Sequence, residues 1–454
     1  MSVSPAAEST AAGALRAVTV RLVPLLMALY FVNYLDRTNL GIAKDEISAD
    51  LQLSATMFGL ASGIFFIGYV LVEVPSNLAL VRFGARRWLA RIAVSWGLVA
   101  VAIGFAPNAT TLLVLRFLLG VAEAGLFPGV VFYLTQWFPA AYRARVVGVF
   151  MLAVPIASAV GTPLAAWLIQ TGHGVWGLAG WRFMMICVGL PAVLLGVVCW
   201  FYLTDRPADA HWLTTDQRHW LAETLAAEEQ RVSTRYRFPL RRTLTSPRVW
   251  ALAVVYFTVA YGLYALAFFL PSIVAGFRKT FQMQLSLVEV GLITAVPYLF
   301  GALAMFLWSR HADRTREHVW HVAIPLLVGG LAIPVALYLR HPVAVMVPVV
   351  LAAMGIFAAL PVFWALPSRF LTGAAAAAGI GLINSLGNLG GFAAPYATGV
   401  LEDLTGTDKV GMWAVGVLML LGSALVVWLR AAPPADRADE EQHGGEYPRS
   451  QPTG

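Results

Sequence analysis

The chain has 454 residues, 59% of them hydrophobic and only 12% charged. Soluble domains carry about 25% charged residues, so this composition excludes an ordinary soluble fold and points to a membrane protein. The net charge of +7 does not mark a nucleic-acid binder, because the basic residues lie between apolar segments and not in one soluble patch.

The first twenty residues are polar and rich in small side chains, without the short apolar core and cleavage site of a removable signal peptide. Twelve apolar stretches long enough to cross a hydrocarbon core as helices follow: 20–43, 56–80, 88–106, 111–135, 145–170, 182–203, 249–275, 286–308, 319–339, 342–366, 375–401 and 411–430. The sixth holds both cysteines, Cys187 and Cys199. They are roughly 18 Å apart along a helix, too far for a disulfide. No His, Cys or carboxylate spacing suits a metal.

The segment 204–248 divides the spans six and six. Thr214 and Gln217 fit a capping box, and Leu221 and Leu225 recur at helical spacing, so a short amphipathic helix is expected there. The tail 431–454 reads as disordered. With both termini cytoplasmic, 23 Lys and Arg residues fall inside and six outside, the asymmetry of the positive-inside rule.

The first and fourth spans keep charges of both signs: Asp36 and Arg37, then Arg116 and Glu123. Each costs about 2.5–3.5 kcal/mol at a lipid-facing helix centre, so the four are expected inside the bundle, Asp36 with Arg116 and Arg37 with Glu123. Tyr30, Asn33 and Arg37 share a helix face; Arg116 and Glu123, two turns apart, share another. Gly120 and Gly125 leave room for a neighbouring helix. A buried carboxyl that takes a proton releases its Arg partner, whose fork then holds a substrate carboxylate. Asp36 and Glu123 are therefore candidate proton carriers, and Arg37 and Arg116 candidate anion ligands. Glu73, near the inner end of the second span, is expected to cap a helix or meet the basic inner loops, with a direct proton role as the alternative. Tyr256, Tyr264 and Tyr298 are candidates for lining a cavity, with packing as the alternative.

The two halves repeat weakly. Arg82 follows the second span and Arg314 the eighth, 232 residues later; Pro163 in the fifth span and Pro395 in the eleventh are separated by the same 232. Parallel repeats of this kind place a substrate site near midplane between two bundles. Adding 232 to the four charged positions gives Phe268, Phe269, Pro348 and Gly355, so the charged chemistry is confined to the N-terminal half.

The loop NLALVRFGARRW resembles the major facilitator superfamily motif after the second span, with Asn77 and Val81 replacing its first Gly and its Asp. Arg82 and Arg86 fit that motif, and the second copy keeps Asp313 and Arg314. The resemblance implies a cytoplasmic gate at these four residues; plain topology signal is the alternative. The strings NYLDRTNLGIA, GYVLVEVPSNL, RFLLGVAEAGLFPG and NSLGNLGGF resemble the anion:cation symporter family within that superfamily.

What the resemblance implies is an all-α membrane protein of twelve transmembrane helices in two pseudo-symmetric six-helix bundles, 1–203 and 249–430. Its expected activity is proton-coupled uptake of an organic anion, not catalysis. Asp36 and Glu123 match the family's proton carriers and Arg37 its carboxylate ligand. Tyr34, Tyr69, Trp364 and Asn384 match cavity positions. Val154 and Pro155 stand where a polar amide serves sugar acids, which favours a small hydroxy acid or an aromatic acid. The expected partners are the substrate anion and the bilayer of a bacterial-type inner membrane; the expected working unit is a monomer. No cofactor is expected beyond the coupling proton, with sodium as the alternative ion. A proton-driven exporter of the same fold is the other transport reading, and a non-transporting sensor a third.

Overall fold

The computed structural model describes residues 5–233, 245–367, 373–407 and 409–431. The tail beyond 431 lies outside them. All regular structure among the described residues is helical. The helices are α1 Pro5–Ile42, α2 Lys44–Leu51, α3 Ala55–Phe83, α4 Ala85–Ile103, α5 Ala109–Glu123, α6 Leu126–Thr135, α7 Ala140–Met151 and α8 Ala153–Gly172. After them come α9 Gly180–Tyr202, α10 Thr215–Ser233, α11 Pro247–Thr280, α12 Leu287–Thr315, α13 Val319–Ala336, α14 Pro342–Phe363, α15 Gly373–Thr405 and α16 Lys409–Ala431.

Among the described residues, ten rods are long and apolar enough to cross a membrane, counting α5 with α6 and α7 with α8 as one rod each. Two more rods, α4 and α15, lie where the remaining expected spans fall. α4 carries Arg86, Arg87 and Arg91, which dilute its apolar character. Large apolar side chains such as Leu71, Leu78, Leu194 and Phe201 face outward, as a lipid-facing surface requires. With an even number of expected spans, the start of α1 and the end of α16 lie on one face, called here the terminal face; the opposite one is the far face.

Two rods are broken where the sequence pattern suggested continuous helices. The fourth breaks at Ala124 and Gly125, because Gly125 takes φ +89°. A Cβ there would stand 2.5 Å from the Ser76 hydroxyl. That hydroxyl donates to the Ala124 carbonyl at 2.6 Å, satisfying the end of α5. The fifth rod breaks at Leu152, just ahead of Pro155, which has no N–H to carry the helix ladder through.

The repeat is visible in how the halves meet. Gly59 on α3 lies against Pro395 on α15, where an added Cβ would be 2.3 Å from the Pro395 carbonyl oxygen. Gly291 on α12 lies against Pro163 on α8, where an added Cβ would be 2.8 Å from the Pro163 Cα. The two glycines are separated by the same 232 residues as the two prolines. Ser54 and Ser286, at that spacing again, cap α3 and α12. The two halves thus contact each other by two crossings at one common spacing, near the far face.

Side chains seal that face further. Lys44 pairs with Glu402 at 3.0 Å, and Asp403 accepts hydrogen bonds from the backbone N–H groups of Thr56 at 2.8 Å and Ala55 at 3.2 Å. Asp403 lies beyond the span, and bonds from Thr56, then from Ala55, hold its carboxyl below the usual 3.8.

At the terminal face, Thr214 and Gln217 form the expected reciprocal cap of α10. Leu221 is buried, and Glu228 accepts from the Ala140 N–H and from Arg143. Of the expected gate residues, Arg86 meets Asp205, its backbone N–H donating at 2.8 Å. Arg82, Asp313 and Arg314 are exposed and make no ion pair with a described residue.

Candidate functional site

The site forms where α1, α3 and α5 of the first half face α11 and α15 of the second. Close approach of α3 and α5 comes first. At Gly120 a Cβ would lie 1.9 Å from the Phe65 carbonyl oxygen, so only glycine lets these backbones touch. This brings Glu123, at the end of α5, level with Arg37 on α1.

Arg37 is 9% exposed and Glu123 is fully buried. Arg37 donates to Glu123 Oε1 from Nη2 and from Nε, the latter at 2.7 Å. Its Nη1 donates to the Tyr264 hydroxyl at 2.9 Å, and Tyr264 belongs to the opposite half. The guanidinium also lies over the rings of Phe65, Tyr69 and Tyr34, at 5.2, 5.3 and 5.4 Å. Glu123 Oε2 has no hydrogen-bond partner.

The second expected pair does not form as a direct contact. Arg116 donates instead to the backbone carbonyls of Ala61 at 3.1 Å and Ser62 at 3.5 Å on α3. Asp36 is 1% exposed and neither of its carboxyl oxygens has a hydrogen-bond partner. Its charge interacts most strongly with Arg116, then with Glu123. A buried carboxylate without a direct partner is costly, so Asp36 has reason to hold a proton or to gain a partner during the working cycle.

A cavity opens beside Arg37. The first half lines it with Tyr30, Tyr34, Tyr69 and Phe127, and with Met151 and Val154 at the break between α7 and α8. The second half contributes Tyr256, Tyr264, Asn384 and Asn388. Tyr34, Tyr69, Arg37 and Asn384 therefore come together as the sequence suggested, and Val154 does occupy the wall.

Trp364 stands one layer back, its ring 4.8 Å from Tyr256, with its indole N–H buried and unpartnered. Arg116 also lies behind the wall, separated from the cavity by Phe65, 5.4 Å from its guanidinium. Tyr298 packs on Phe357 and donates to the Leu266 carbonyl, away from the site.

Glu73 departs most from expectation. Far from meeting basic loops, it is 4% exposed and accepts hydrogen bonds across the halves from the Asn384 amide and, at 3.1 Å, the Ser385 hydroxyl. The sequence signal was the spacing: Glu73 is four residues after Tyr69 and shares its helix face. Among the described residues no cluster of three metal-ligating side chains exists.

Comparison with known proteins shows the family. The family model of the Major Facilitator Superfamily matches residues 26–395 and 284–452. Two Agrobacterium vitis proteins named "Putative tartrate transporter" are 44% and 45% identical over 420 residues. The alignments cover 92% of this chain in each case and 92% and 95% of those proteins. A "Quinolone resistance transporter" of Acinetobacter baumannii is 40% identical, covering 90% of this chain and 93% of that one. In fold, the crystal structure of a bacterial homologue of the human lysosomal transporter Spinster, inward-facing and unoccupied, superposes with a TM-score of 0.71 at 17% identity. It covers 95% of this chain and 98% of the other.

Proposed function

This chain belongs to the Major Facilitator Superfamily, and from that premise we propose that it takes up a small organic anion together with protons, by alternating access. The setting is a bacterial-type inner membrane with both termini cytoplasmic, as the basic-residue asymmetry favours. The observation that carries the reading is Arg37: a buried guanidinium at the cavity wall, held by Glu123 of its own half and Tyr264 of the other.

While Glu123 is ionised it occupies the fork of Arg37. A proton on Glu123 removes that competitor, and the fork can then accept a carboxylate bidentately. Asp36, close by in charge and unpartnered, is the second proton carrier. Proton loss toward the cytoplasm restores the Arg37–Glu123 pair and expels the anion. A monoanion entering a negative-inside cell moves uphill by about 2.3 kcal/mol per 100 mV, and each co-transported proton offsets one such charge.

For the substrate, the hydroxyls of the cavity tyrosines and the amides of Asn384 and Asn388 suit the oxygens of a hydroxy acid. The names of the Agrobacterium vitis relatives favour a tartrate-like acid. The test is uptake of labelled L-tartrate into proteoliposomes under an inside-alkaline pH gradient, beside hexonate, phthalate, hydroxyphenylacetate and nicotinate as competitors. Accumulation of none of these acids under the gradient would contradict the reading.

The name of the Acinetobacter baumannii relative favours a second reading, proton-driven export of an aromatic acid through the same site. Inside-out vesicles distinguish the two: export predicts accumulation there under an inside-acid gradient.

A further inference from the structure

Glu73 is the buried carboxylate that, among the described residues, has its hydrogen-bond donors in the opposite half. It makes no ion pair with a described Lys or Arg. It lies one turn beyond Tyr69 toward the terminal face, on the side opposite the Gly59–Pro395 crossing, and is joined to the cavity wall through Asn384, which lines it. The charged group that acts on it is Arg37 on α1, and its own charge reaches the neutral phenols of Tyr69 on its own helix and Tyr256 on α11. From α15 it meets the neutral Asn384 and Ser385. On α5, Arg116 is taken up by α3 carbonyls and Glu123 by Arg37. On α4, Arg91 is directed at the Ala122 carbonyl, and on α6, Tyr133 donates to Thr204.

The buried charges then set a valence. Asp36, Glu73 and Glu123 stand against Arg37 and Arg116: three acids and two cations. With all three acids ionised the set carries one net negative charge and repels an anion. With all three neutral it carries two positive charges and is matched by a dianion. Were Glu73 permanently ionised, the set would reach only one positive charge and match a monoanion. We propose that Glu73 is a third proton-binding carboxyl of this carrier and that it fits the cavity to the dianions of dicarboxylic acids.

This rests on the reading of the chain as a proton-coupled organic-anion carrier. In the step itself, a hydronium ion gives its proton to a Glu73 carboxylate oxygen, leaving water and a neutral acid; water on the other side later takes the proton back. The neutral acid keeps fewer acceptor lone pairs for Asn384 and Ser385, so proton binding also loosens α3 from α15.

Two measurements test this, one without substrate. In the infrared spectrum of the purified protein, acid titration raises protonated-carboxyl bands. Glu73→Gln should remove one titrating component, and Asn384→Ala should shift that same component, because its hydrogen bond is gone. In proteoliposomes clamped at zero potential, the equilibrium accumulation of L-tartrate by Glu73→Gln should fall about tenfold per pH unit of gradient, the equivalent of one proton fewer. An unchanged set of carboxyl bands in both variants would overturn the proposal; so would an unchanged accumulation slope. If Glu73→Gln does not fold, the Asn384→Ala spectrum alone decides, and an unshifted band overturns it. A titrating component in a protein that carries no tartrate would uphold the proton site and sink the substrate reading instead.

Discussion

Arg37 and Glu123, 86 residues apart in sequence, meet at the broken end of α5, where the guanidinium donates twice to a single carboxylate oxygen. At the same end of α5, Arg91 is directed at the Ala122 carbonyl, the kind of cation a helix C-terminus favours. The other Glu123 oxygen has no hydrogen-bond partner. The pair is therefore held firmly on one side and open on the other, the arrangement a proton-operated latch needs.

Removing the cation leaves Glu123 buried and unpaired. Arg37→Ala should destabilise the protein by about 3–5 kcal/mol and abolish anion binding. Arg37→Lys keeps the charge but not the planar fork, and should fold while binding L-tartrate at least tenfold more weakly. Thermal unfolding and isothermal titration read the two effects separately. Undiminished affinity in Arg37→Lys would remove the bidentate role.

Gly125 is held at φ +89° against Ser76. Gly125→Ala should cost about 2–4 kcal/mol, from left-handed strain and the clash with the Ser76 hydroxyl together. Ser76→Ala, which opens that space, should recover part of the loss in a double-mutant cycle. Additive effects of the two substitutions would show that the break does not depend on Ser76.

The far-face clasp at Asp403 should ignore ordinary acidity. Its folded-state carboxyl is held below the usual 3.8, so its contribution is complete above the unfolded value and disappears only as pH falls through the folded one. Between pH 8 and 5 the clasp therefore stays closed on its own account. Asp403→Asn weakens the acceptor at any pH and should lengthen the mean distance between spin labels placed on α3 and α15 near the far face. A wild-type distance that titrates between pH 8 and 5 in parallel with an unchanging Asp403→Asn distance would contradict this.

Glu228 joins α10 to the start of α7 through the Ala140 N–H and Arg143. Glu228 and Arg143 are partly exposed, 28% and 32%. Glu228→Ala should then change stability by less than about 1 kcal/mol. A larger loss of melting temperature would mean that α10 carries structural weight beyond this contact.

The spans, the repeat and the Arg37–Glu123 pair were legible in the sequence, because each rests on periodicity or on charges too costly to face lipid. The Gly59–Pro395 and Gly291–Pro163 crossings follow the same 232-residue spacing read from Pro163 and Pro395. What escaped depends on backbone detail. Arg116 finds the Ala61 and Ser62 carbonyls because Gly120 lets α3 and α5 touch, so it has no need of Asp36 as a direct partner. Trp364 falls behind Tyr256 by one layer, a distinction no residue spacing encodes. Glu73 was misplaced because its donors, Asn384 and Ser385, are more than 300 residues away on the other half.

The central claim, that a proton on Glu123 frees Arg37 for the substrate carboxylate, is tested most directly by Glu123→Gln in proteoliposomes. Counterflow exchange of labelled L-tartrate should persist, since the amide no longer competes as an anion for the guanidinium. Accumulation driven by an inside-alkaline pH gradient should fall about tenfold per pH unit relative to wild type, the loss of one coupled proton. Accumulation as steep as wild type in Glu123→Gln would contradict the claim.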